Sequence, residues 1–274
     1  MKEETGYFSS TDGTQIFYRA WNKNTENCLI LVHGIGEHSG RYQDFAEKLD
    51  DLPISVFSFD LRGHGRSGGS RMYVNSFQDF VNDIYDYRKW IEGKYGKRKF
   101  ILLGQSLGGL ISVSVVLKNQ SIWNALILMS PFFAVSRGQR VLSLLSGALN
   151  CLLPNVIWDN PIKPFYLSHD PDEVRKYKED RLIQRLVTSR LAYEMFRACS
   201  SVYNQAKEIR LPVFILASGD DRIVSLKATQ AFYHKIASQE KRLKVFESSY
   251  HELLHEKGRS ETIELIRQFL RVSF

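Results

Sequence analysis

Residues 104–108 read Gly-Gln-Ser-Leu-Gly, which places a serine between two glycines at the spacing of a nucleophile turn. Four bulky apolar residues at 100–103 predict a buried strand before it, and residues 110–117 predict a helix after it. A side chain at either glycine would collide with neighbouring backbone in so tight a turn. The pattern also fits a plain glycine-rich turn, but the flanking strand and helix favour Ser106 as a nucleophile at a helix N-terminus, where unpaired N–H groups favour negative charge.

A serine hydroxyl is a poor nucleophile without a base, so one of the chain's seven histidines must lie beside Ser106. In the order typical of α/β-hydrolases the acid follows the nucleophile and the histidine comes last. His251 follows a predicted strand at 243–246, and His255 lies further along the chain. We therefore favour His251 as the base.

The acid that orients this histidine is expected just after a strand. Asp220 and Asp221 both follow the predicted strand at 213–217. The carboxyl ends of neighbouring parallel strands meet at one edge of the sheet, so this loop and the His251 loop can converge on Ser106. Position alone leaves either aspartate open.

Acyl transfer through a serine also needs N–H donors for the negatively charged oxygen of the tetrahedral intermediate. One donor is expected at the residue after the nucleophile, Leu107. The second is expected in the loop at 33–38, His-Gly-Ile-Gly-Glu-His, where glycines let the backbone approach a substrate and Ile35 is the candidate. We interpret His33 as a buried residue that braces this loop.

The elements that must position these residues recur at the spacing of a wound α/β sheet. Several apolar runs are continuous, as expected for parallel strands covered on both faces. The predicted strands are 28–32, 54–59, 100–103, Ala125–Met129, 213–217 and 243–246. The predicted helices are 42–49, 76–95, 107–117, 226–237 and 258–270. Gln15–Trp21 is predicted to be an antiparallel edge strand.

The alternation stops between residues 134 and 206, where only helical patterns and prolines occur. This predicts a core of 1–133 and 207–274 with a helical cap, 134–206, inserted above the carboxyl ends of the strands. Residues 141–158 carry no charge. A membrane span is rejected because Gly147, Asn150 and Pro154 interrupt the run, which leaves a helix packed on the core or a cap wall that lines an acyl pocket or contacts a lipid interface.

Composition adds few constraints on function. The 274 residues, 43% of them hydrophobic and 24% charged, suit a single globular α/β protein. The formal charge of +7 is compatible with an anionic surface, but no nucleic-acid motif accompanies it and a solvated surface is the preferred interpretation. Three widely spaced cysteines and the absence of a secretory signal predict a cytoplasmic protein, with peripheral membrane association left open.

Five segments together resemble the monoacylglycerol lipase family of α/β-hydrolases, over nearly the whole chain. They are His-Gly-Ile-Gly-Glu-His-Ser-Gly-Arg-Tyr at 33–42, Asp-Leu-Arg-Gly-His-Gly-Arg-Ser at 60–67, Gly-Gln-Ser-Leu-Gly-Gly at 104–109, Ser-Pro-Phe at 130–132 and Asp-Arg-Ile-Val at 221–224. The resemblance implies an α/β-hydrolase fold, a mostly parallel eight-stranded sheet with helices on both faces and a helical cap.

The same resemblance implies specific roles for residues. It implies a triad of Ser106, Asp221 and His251, with Asp221 preferred because the family's acid precedes a basic residue and two apolar ones. It also implies that Glu37 and Arg41 shape the polar end of a pocket that receives glycerol. The family's mammalian members carry a second histidine three residues after the catalytic one, where this chain has a leucine and then a histidine.

The predicted function is therefore a serine esterase that hydrolyses a monoacylglycerol through an acyl-enzyme, with no metal and no organic cofactor. The partner is a single-chain lipid ester, with peripheral membrane contact through the cap and no nucleic acid. The alternatives are a lysophospholipase with the same triad, an acyltransferase and a non-catalytic ligand-binding α/β-hydrolase.

Overall fold

A computed structural model describes residues 2–136, 155–159 and 162–273. Its centre is an eight-stranded sheet with the strand order β1-β2-β4-β3-β5-β6-β9-β10. These strands are β1 (Glu4–Ser9), β2 (Gln15–Trp21), β3 (Asn27–Val32), β4 (Ser55–Phe59), β5 (Lys99–Gln105), β6 (Ala125–Met129), β9 (Val213–Ser218) and β10 (Lys241–Phe246). Across this sheet, the six neighbouring strands β4, β3, β5, β6, β9 and β10 are all paired in parallel. The predicted mostly parallel α/β sheet is therefore confirmed.

The predicted position of β2 at the edge of the sheet is wrong. β2 is antiparallel to β4, as expected, but β1 pairs with its other side and forms the edge. Only Phe8 of β1 is buried, so the strand leaves no apolar run in the sequence. A strand of this kind is held by backbone pairing to β2, which a sequence pattern does not register.

Helices cover both faces of the sheet, which divides the core into two apolar clusters. The α-helices of the described residues are α1 (Gln43–Glu47), α2 (Phe77–Tyr95), α3 (Leu107–Lys118), α4 (Pro171–Glu179), α5 (Ser189–Gln205), α6 (Leu226–Lys235) and α7 (Arg259–Val272). Along β3, Ile30 packs into the cluster with Ile84 of α2, and its neighbour Leu31 packs into the cluster with Ile266 of α7. This two-sided burial explains why the central strands are continuously apolar.

The segment between β6 and β9 contains more than the helices that its sequence predicts. A short antiparallel ladder joins β7 (Ile157–Asp159) to β8 (Leu186–Thr188), so the expectation of no strand between 134 and 206 is wrong. Each strand has only three residues, too few for a period-two pattern.

The long helix of this segment, α5, packs on α2 and α3. Residues 141–154 of the uncharged run, which is predicted to form a helix, lie outside the described residues, and the division into core and cap stays a prediction.

No helix in the described part of the chain is both long and apolar enough to cross a membrane.

The turn from β5 into α3 depends on close backbone approach at its glycines. A β-carbon at Gly108 would clash with the carbonyl oxygen of Val32 and lie 2.5 Å from that of His33. A β-carbon at Gly104 would clash with the carbonyl of Gly108. These obstacles are backbone atoms of β3 and α3, which cannot move aside without shifting the sheet.

We expect Gly108→Ala to lower the free energy of unfolding by about 3 kcal/mol, at the upper end of the cost of overpacking, because the clash is with backbone. Gly93→Ala is the matched control, since Gly93 lies on the exposed side of α2 with nothing within 4 Å of an added β-carbon. That substitution should raise stability by up to about 1 kcal/mol. Urea denaturation of both variants measures the difference, and equal effects at the two sites would contradict the packing argument.

Candidate active site

Ser106 stands at the turn between β5 and α3 in a strained backbone conformation. Its φ is 53°, in the left-handed region that non-glycine residues rarely adopt. The Ser106 N–H donates to the carbonyl of Met129 at 3.0 Å, and its carbonyl accepts from the N–H of Phe132 at 3.0 Å. Hydrogen bonds to the end of β6 thus hold a strained serine at the N-terminus of a helix, as the sequence predicts for a nucleophile turn.

His251 and Asp221 come together at the carboxyl ends of β9 and β10. Nδ1 of His251 lies 2.7 Å from Oδ2 of Asp221. The other carboxylate oxygen of Asp221 accepts the N–H groups of Ile223 and Val224 at 2.8 and 2.9 Å. The Asp221 side chain is 1% exposed, whereas that of Asp220 is 50% exposed. Burial and this contact therefore distinguish Asp221 from Asp220, which position in the sequence alone does not.

The contact with Asp221 fixes the protonation of His251. A proton on Nδ1 is shared with the carboxylate, which leaves Nε2 as the basic nitrogen. Burial acts to lower the pKa of His251, but the charge and the hydrogen bond of Asp221 outweigh it, with smaller contributions from Glu252 and Glu37. The pKa of His251 is consequently raised, and its charged form is stabilised in the position where a base must hold a proton.

The loop that carries His251 is attached to the nucleophile turn and to the segment between β6 and β9. Nε2 of Gln105, the residue before Ser106, donates to the carbonyl of His251 at 3.3 Å. The N–H of Glu252 donates to the carbonyl of Leu167 at 2.9 Å. Sequence reasoning gave Gln105 no role, although its place next to the serine was a signal.

The loop after β3 lies against Ser106. A β-carbon on Gly34 would be 3.2 Å from the Ser106 β-carbon, so the backbone that leads into Ile35 runs beside the nucleophile. Ile35 is half-buried, and Leu107 is fully buried at the first position of α3. The structure therefore places both predicted N–H donors on backbone that flanks Ser106.

His33 braces this loop from below, as the sequence predicts. Its Nε2 accepts the N–H of Leu61 at 2.9 Å, so Nδ1 carries the proton and donates to the carbonyl of Gly34 at 2.7 Å. Complete burial lowers the pKa of His33 to about 4, which keeps the ring neutral and able to make both bonds. His33 is thus a structural histidine, separate from the Asp221–His251 pair.

Glu37 and Arg41 belong to a buried ionic bridge whose third member, Glu252, the sequence analysis missed. Arg41 donates Nη1 to Oε1 of Glu252 and Nη2 to Oε2, both at 2.6 Å, and Nη1 also to Oε2 of Glu37 at 2.8 Å. Oε1 of Glu37 accepts the N–H of Gly34 at 2.6 Å and the hydroxyl of Tyr42 at 2.8 Å. A carboxylate directly after the predicted base was the signal available in the sequence.

The charges of the bridge are fixed by one another. Burial acts to raise the pKa of Glu252, but Arg41 holds it well below its usual range. Burial likewise acts to lower the pKa of Arg41, and Glu252 raises it well above the ordinary value. Both groups therefore stay ionised inside the protein.

A polar groove of about 540 Å³ lies beside the bridge, between α4 and α1. Arg41 and His255 are among the residues that line it, whereas Ser106 is not. His38 also lines the groove, and its Nε2 lies 2.7 Å from a carboxylate oxygen of Asp180, another lining residue. In the described residues, no three histidine, cysteine or acidic side chains come together as metal ligands would.

Comparisons with known proteins show which family and fold this chain resembles. The family model described as serine aminopeptidase, S33, matches residues 23–258. A monoglyceride lipase of Mus musculus is 33% identical over 259 residues, which cover 93% of this chain and 85% of that protein. The crystal structure of a Paleococcus ferrophilus monoacylglycerol lipase has a TM-score of 0.85 at 26% identity and covers both chains completely.

A second solved structure supports the fold alone. It is a soluble variant of monoglyceride lipase from Saccharomyces cerevisiae in complex with a substrate analogue, with a TM-score of 0.88 at 18% identity. It covers all of this chain and 95% of the other. The predicted α/β-hydrolase fold is confirmed.

The raised pKa of His251 can be measured directly by an NMR titration of its ring proton. We expect a midpoint above 6.5 in the native protein, the ordinary value for histidine. Asp221→Asn removes the charge that outweighs burial, so the midpoint should fall below 6.5 in that variant. Asp220→Asn is the control and should leave the titration unchanged, because Asp220 pairs with Arg222. A native midpoint below 6.5 would contradict this electrostatic account.

Proposed function

The chain belongs to the monoglyceride lipase family of α/β-hydrolases, and from that premise we propose that it hydrolyses monoacylglycerols to fatty acid and glycerol. Membership makes it a carboxylic ester hydrolase; the substrate and the residues that act are the proposal. The observation that carries it is the contact between Asp221 and His251 at the sheet edge where Ser106 occupies its strained turn.

The proposed reaction proceeds through two acyl transfers. Nε2 of His251 takes the proton of the Ser106 hydroxyl as the oxygen attacks the ester carbonyl. The intermediate collapses, His251 gives the proton to the departing glycerol oxygen, and the acyl group stays on Ser106. Water then attacks the acyl carbon while His251 takes its proton. The bond to Ser106 Oγ breaks, His251 returns the proton to that oxygen, and the fatty acid leaves. Asp221 keeps the ring in the required tautomer and stabilises its charged form.

The negative charge on the carbonyl oxygen is proposed to be held by the N–H groups of Ile35 and Leu107. Each such donor typically contributes about 3 kcal/mol to transition-state stabilisation. The support is the position of Gly34 against Ser106, together with the place of Leu107 at the start of α3.

A neutral head group fits the polar end of this site better than a phosphate. Glu37 and Arg41 are proposed to shape that end, and the Arg41 guanidinium is already paired with two carboxylates. Recognition of a lysophospholipid phosphate would need a cation that is not engaged in this way. Hydrolysis of a monoacylglycerol is therefore preferred to hydrolysis of a lysophospholipid.

The test of the proposed function is turnover of a monoacylglycerol by the pure protein. Ser106→Ala should lower kcat by at least about 10⁴-fold, because loss of the nucleophile leaves only binding and oxyanion stabilisation. Ser114→Ala is the control, since this half-buried hydroxyl is bonded within α3. A lysophosphatidylcholine of the same acyl chain should be turned over more slowly.

Four results would count against the assignment. Retained activity in Ser106→Ala would exclude it as the nucleophile. Faster turnover of the lysophospholipid would replace the substrate, and acyl transfer to an added alcohol in preference to water would identify an acyltransferase. A native protein that a fluorophosphonate does not label would point to a ligand-binding role instead.

Peripheral contact with a lipid surface is also proposed, through the β7–β8 ladder and the turn beside it. Ile157, Leu186 and Phe165 are 58%, 46% and 51% exposed, unusual values for large apolar residues. Lys163 lies over the Phe165 ring, so a cation accompanies the apolar surface. Apolar side chains with a neighbouring lysine suit a membrane interface of anionic lipid.

The double variant Ile157→Ser/Leu186→Ser should bind vesicles of phosphatidylcholine and phosphatidylserine at least about 100-fold more weakly. The estimate takes about 1.5 kcal/mol for each apolar side chain withdrawn from the interface. Val272→Ser, which removes a still more exposed apolar residue at the end of α7, is the control and should bind like the native protein. Vesicle co-sedimentation measures both, and unchanged binding by the double variant would contradict contact through this ladder.

A further inference from the structure

We infer that Glu252 is a positioning residue: its carboxylate, through Arg41, locks the loop that carries the base to the loop that carries the oxyanion donor. The inference rests on the proposed function, since it assigns Glu252 a task in that reaction. It adds a residue to the machinery that the serine, the histidine and the aspartate do not include.

The link between the two loops begins at Glu252. Glu252 directly follows His251 in the chain, and both of its oxygens are bound by Arg41 at 2.6 Å. A planar guanidinium that binds both oxygens of a carboxylate fixes orientation as well as distance. The His251 loop therefore has little freedom to shift relative to Arg41.

At its other end, the link reaches the loop after β3. Arg41 also binds Glu37, and the other oxygen of Glu37 accepts the Gly34 N–H at 2.6 Å. Gly34 is the residue whose backbone lies against Ser106 and leads into Ile35. An unbroken series of short polar contacts thus joins the base loop to the backbone beside the nucleophile.

All three charged side chains of the bridge are buried. The side chains of Glu37, Arg41 and Glu252 are only 4%, 8% and 7% exposed. Desolvating three charges is costly, and a buried ion pair often stabilises a fold no better than apolar residues of similar size would. The best-attested use of such a cluster is to specify one arrangement, and here the two parts that it fixes are the two loops beside Ser106.

The bridge also places negative charge near His251, since two carboxylates share one guanidinium there. Glu252 and Glu37 each favour the protonated ring of His251, in addition to Asp221. Other titratable groups also face the bridge. Tyr42 donates to Glu37, His255 has Nδ1 3.2 Å from Glu252 and Nε2 3.0 Å from the carbonyl of Arg41, and the ring of Tyr177 of α4 lies 4.9 Å from the Arg41 guanidinium. The charge of Arg41 also acts on His33 and Asp180.

The testing variant is Glu252→Gln, which keeps the size of the side chain but removes its charge and one acceptor for Arg41. Its first readout is the rate at which a fluorophosphonate labels Ser106, measured across pH. We expect labelling to slow about 10- to 100-fold, the scale of a small misplacement of reacting groups. The rising limb of the pH profile should move to lower pH, because loss of a nearby negative charge lowers the pKa of the base.

The second readout separates positioning from contact with the substrate head group. A p-nitrophenyl ester and a monoacylglycerol of the same acyl chain share the reacting carbonyl but differ in the leaving group. Glu252→Gln should lower kcat for both to a similar degree, with KM changed less than about threefold. Arg41→Lys, which keeps the charge but loses the two-pronged contact, should lower kcat for both in the same way.

Glu47→Gln is the matched control, because Glu47 is an exposed carboxylate on α1 that accepts a hydrogen bond from Gln43, and it should leave both readouts unchanged. If Glu252→Gln does not fold, Arg41→Lys carries the same test. Loss of activity on the monoacylglycerol alone would overturn the inference in favour of head-group contact. Native labelling rates and an unmoved pH profile would also overturn it. If the native protein is itself not labelled, the proposed function fails and not this inference alone.

Discussion

The turn at Ser106 exists because backbone of β3 and α3 touches where the chain has no side chain. A β-carbon at Gly108 would strike the carbonyl of Val32, and one at Gly104 would strike the carbonyl of Gly108. This close approach allows α3 to start directly beside β3, and it forces Ser106 to a φ of 53°. The hydroxyl is therefore presented by rigid backbone, held on either side by hydrogen bonds to the end of β6.

Everything else at the site depends on which strands end near that turn. β5 lies between β3 and β6, and β9 and β10 follow on the far side of β6. The loops after β3, β9 and β10 consequently open at the same edge as Ser106, and they carry Ile35, Asp221 and His251. Parallel pairing brings residues from distant parts of the chain together without any long-range signal in their own sequences.

Electrostatics then connects loops that the sheet only brings near one another. Arg41 has a carboxylate from each side, one bound to the Gly34 backbone and one adjacent to His251. Tyr166 and Leu167, from the segment between β6 and β9, accept backbone hydrogen bonds from His251 and Glu252. The N–H of Gln184 donates to the carbonyl of Gly36 at 2.7 Å. That segment is therefore attached to both loops of the site, so changes in it can act on the reacting groups.

The sequence by itself determined the features that local patterns encode. Apolar runs and turn residues located the central strands and most helices within a few residues. Gly-x-Ser-x-Gly predicted Ser106 as the nucleophile, and chain order and strand ends predicted His251 as the base. These signals are local because burial on both faces, helix periodicity and tight turns each constrain residues close together in the sequence.

Only the tertiary structure decided the features that depend on pairing between distant residues. It placed β1 outside β2, where backbone pairing and a single buried apolar side chain, Phe8, hold the strand. It buried Asp221 against His251 and left Asp220 half exposed. It also joined Glu252 to Arg41, a contact across 211 positions of the chain. A carboxylate in a sequence carries no mark of its partner, because the energy of an ion pair depends on distance and burial, which only the fold supplies.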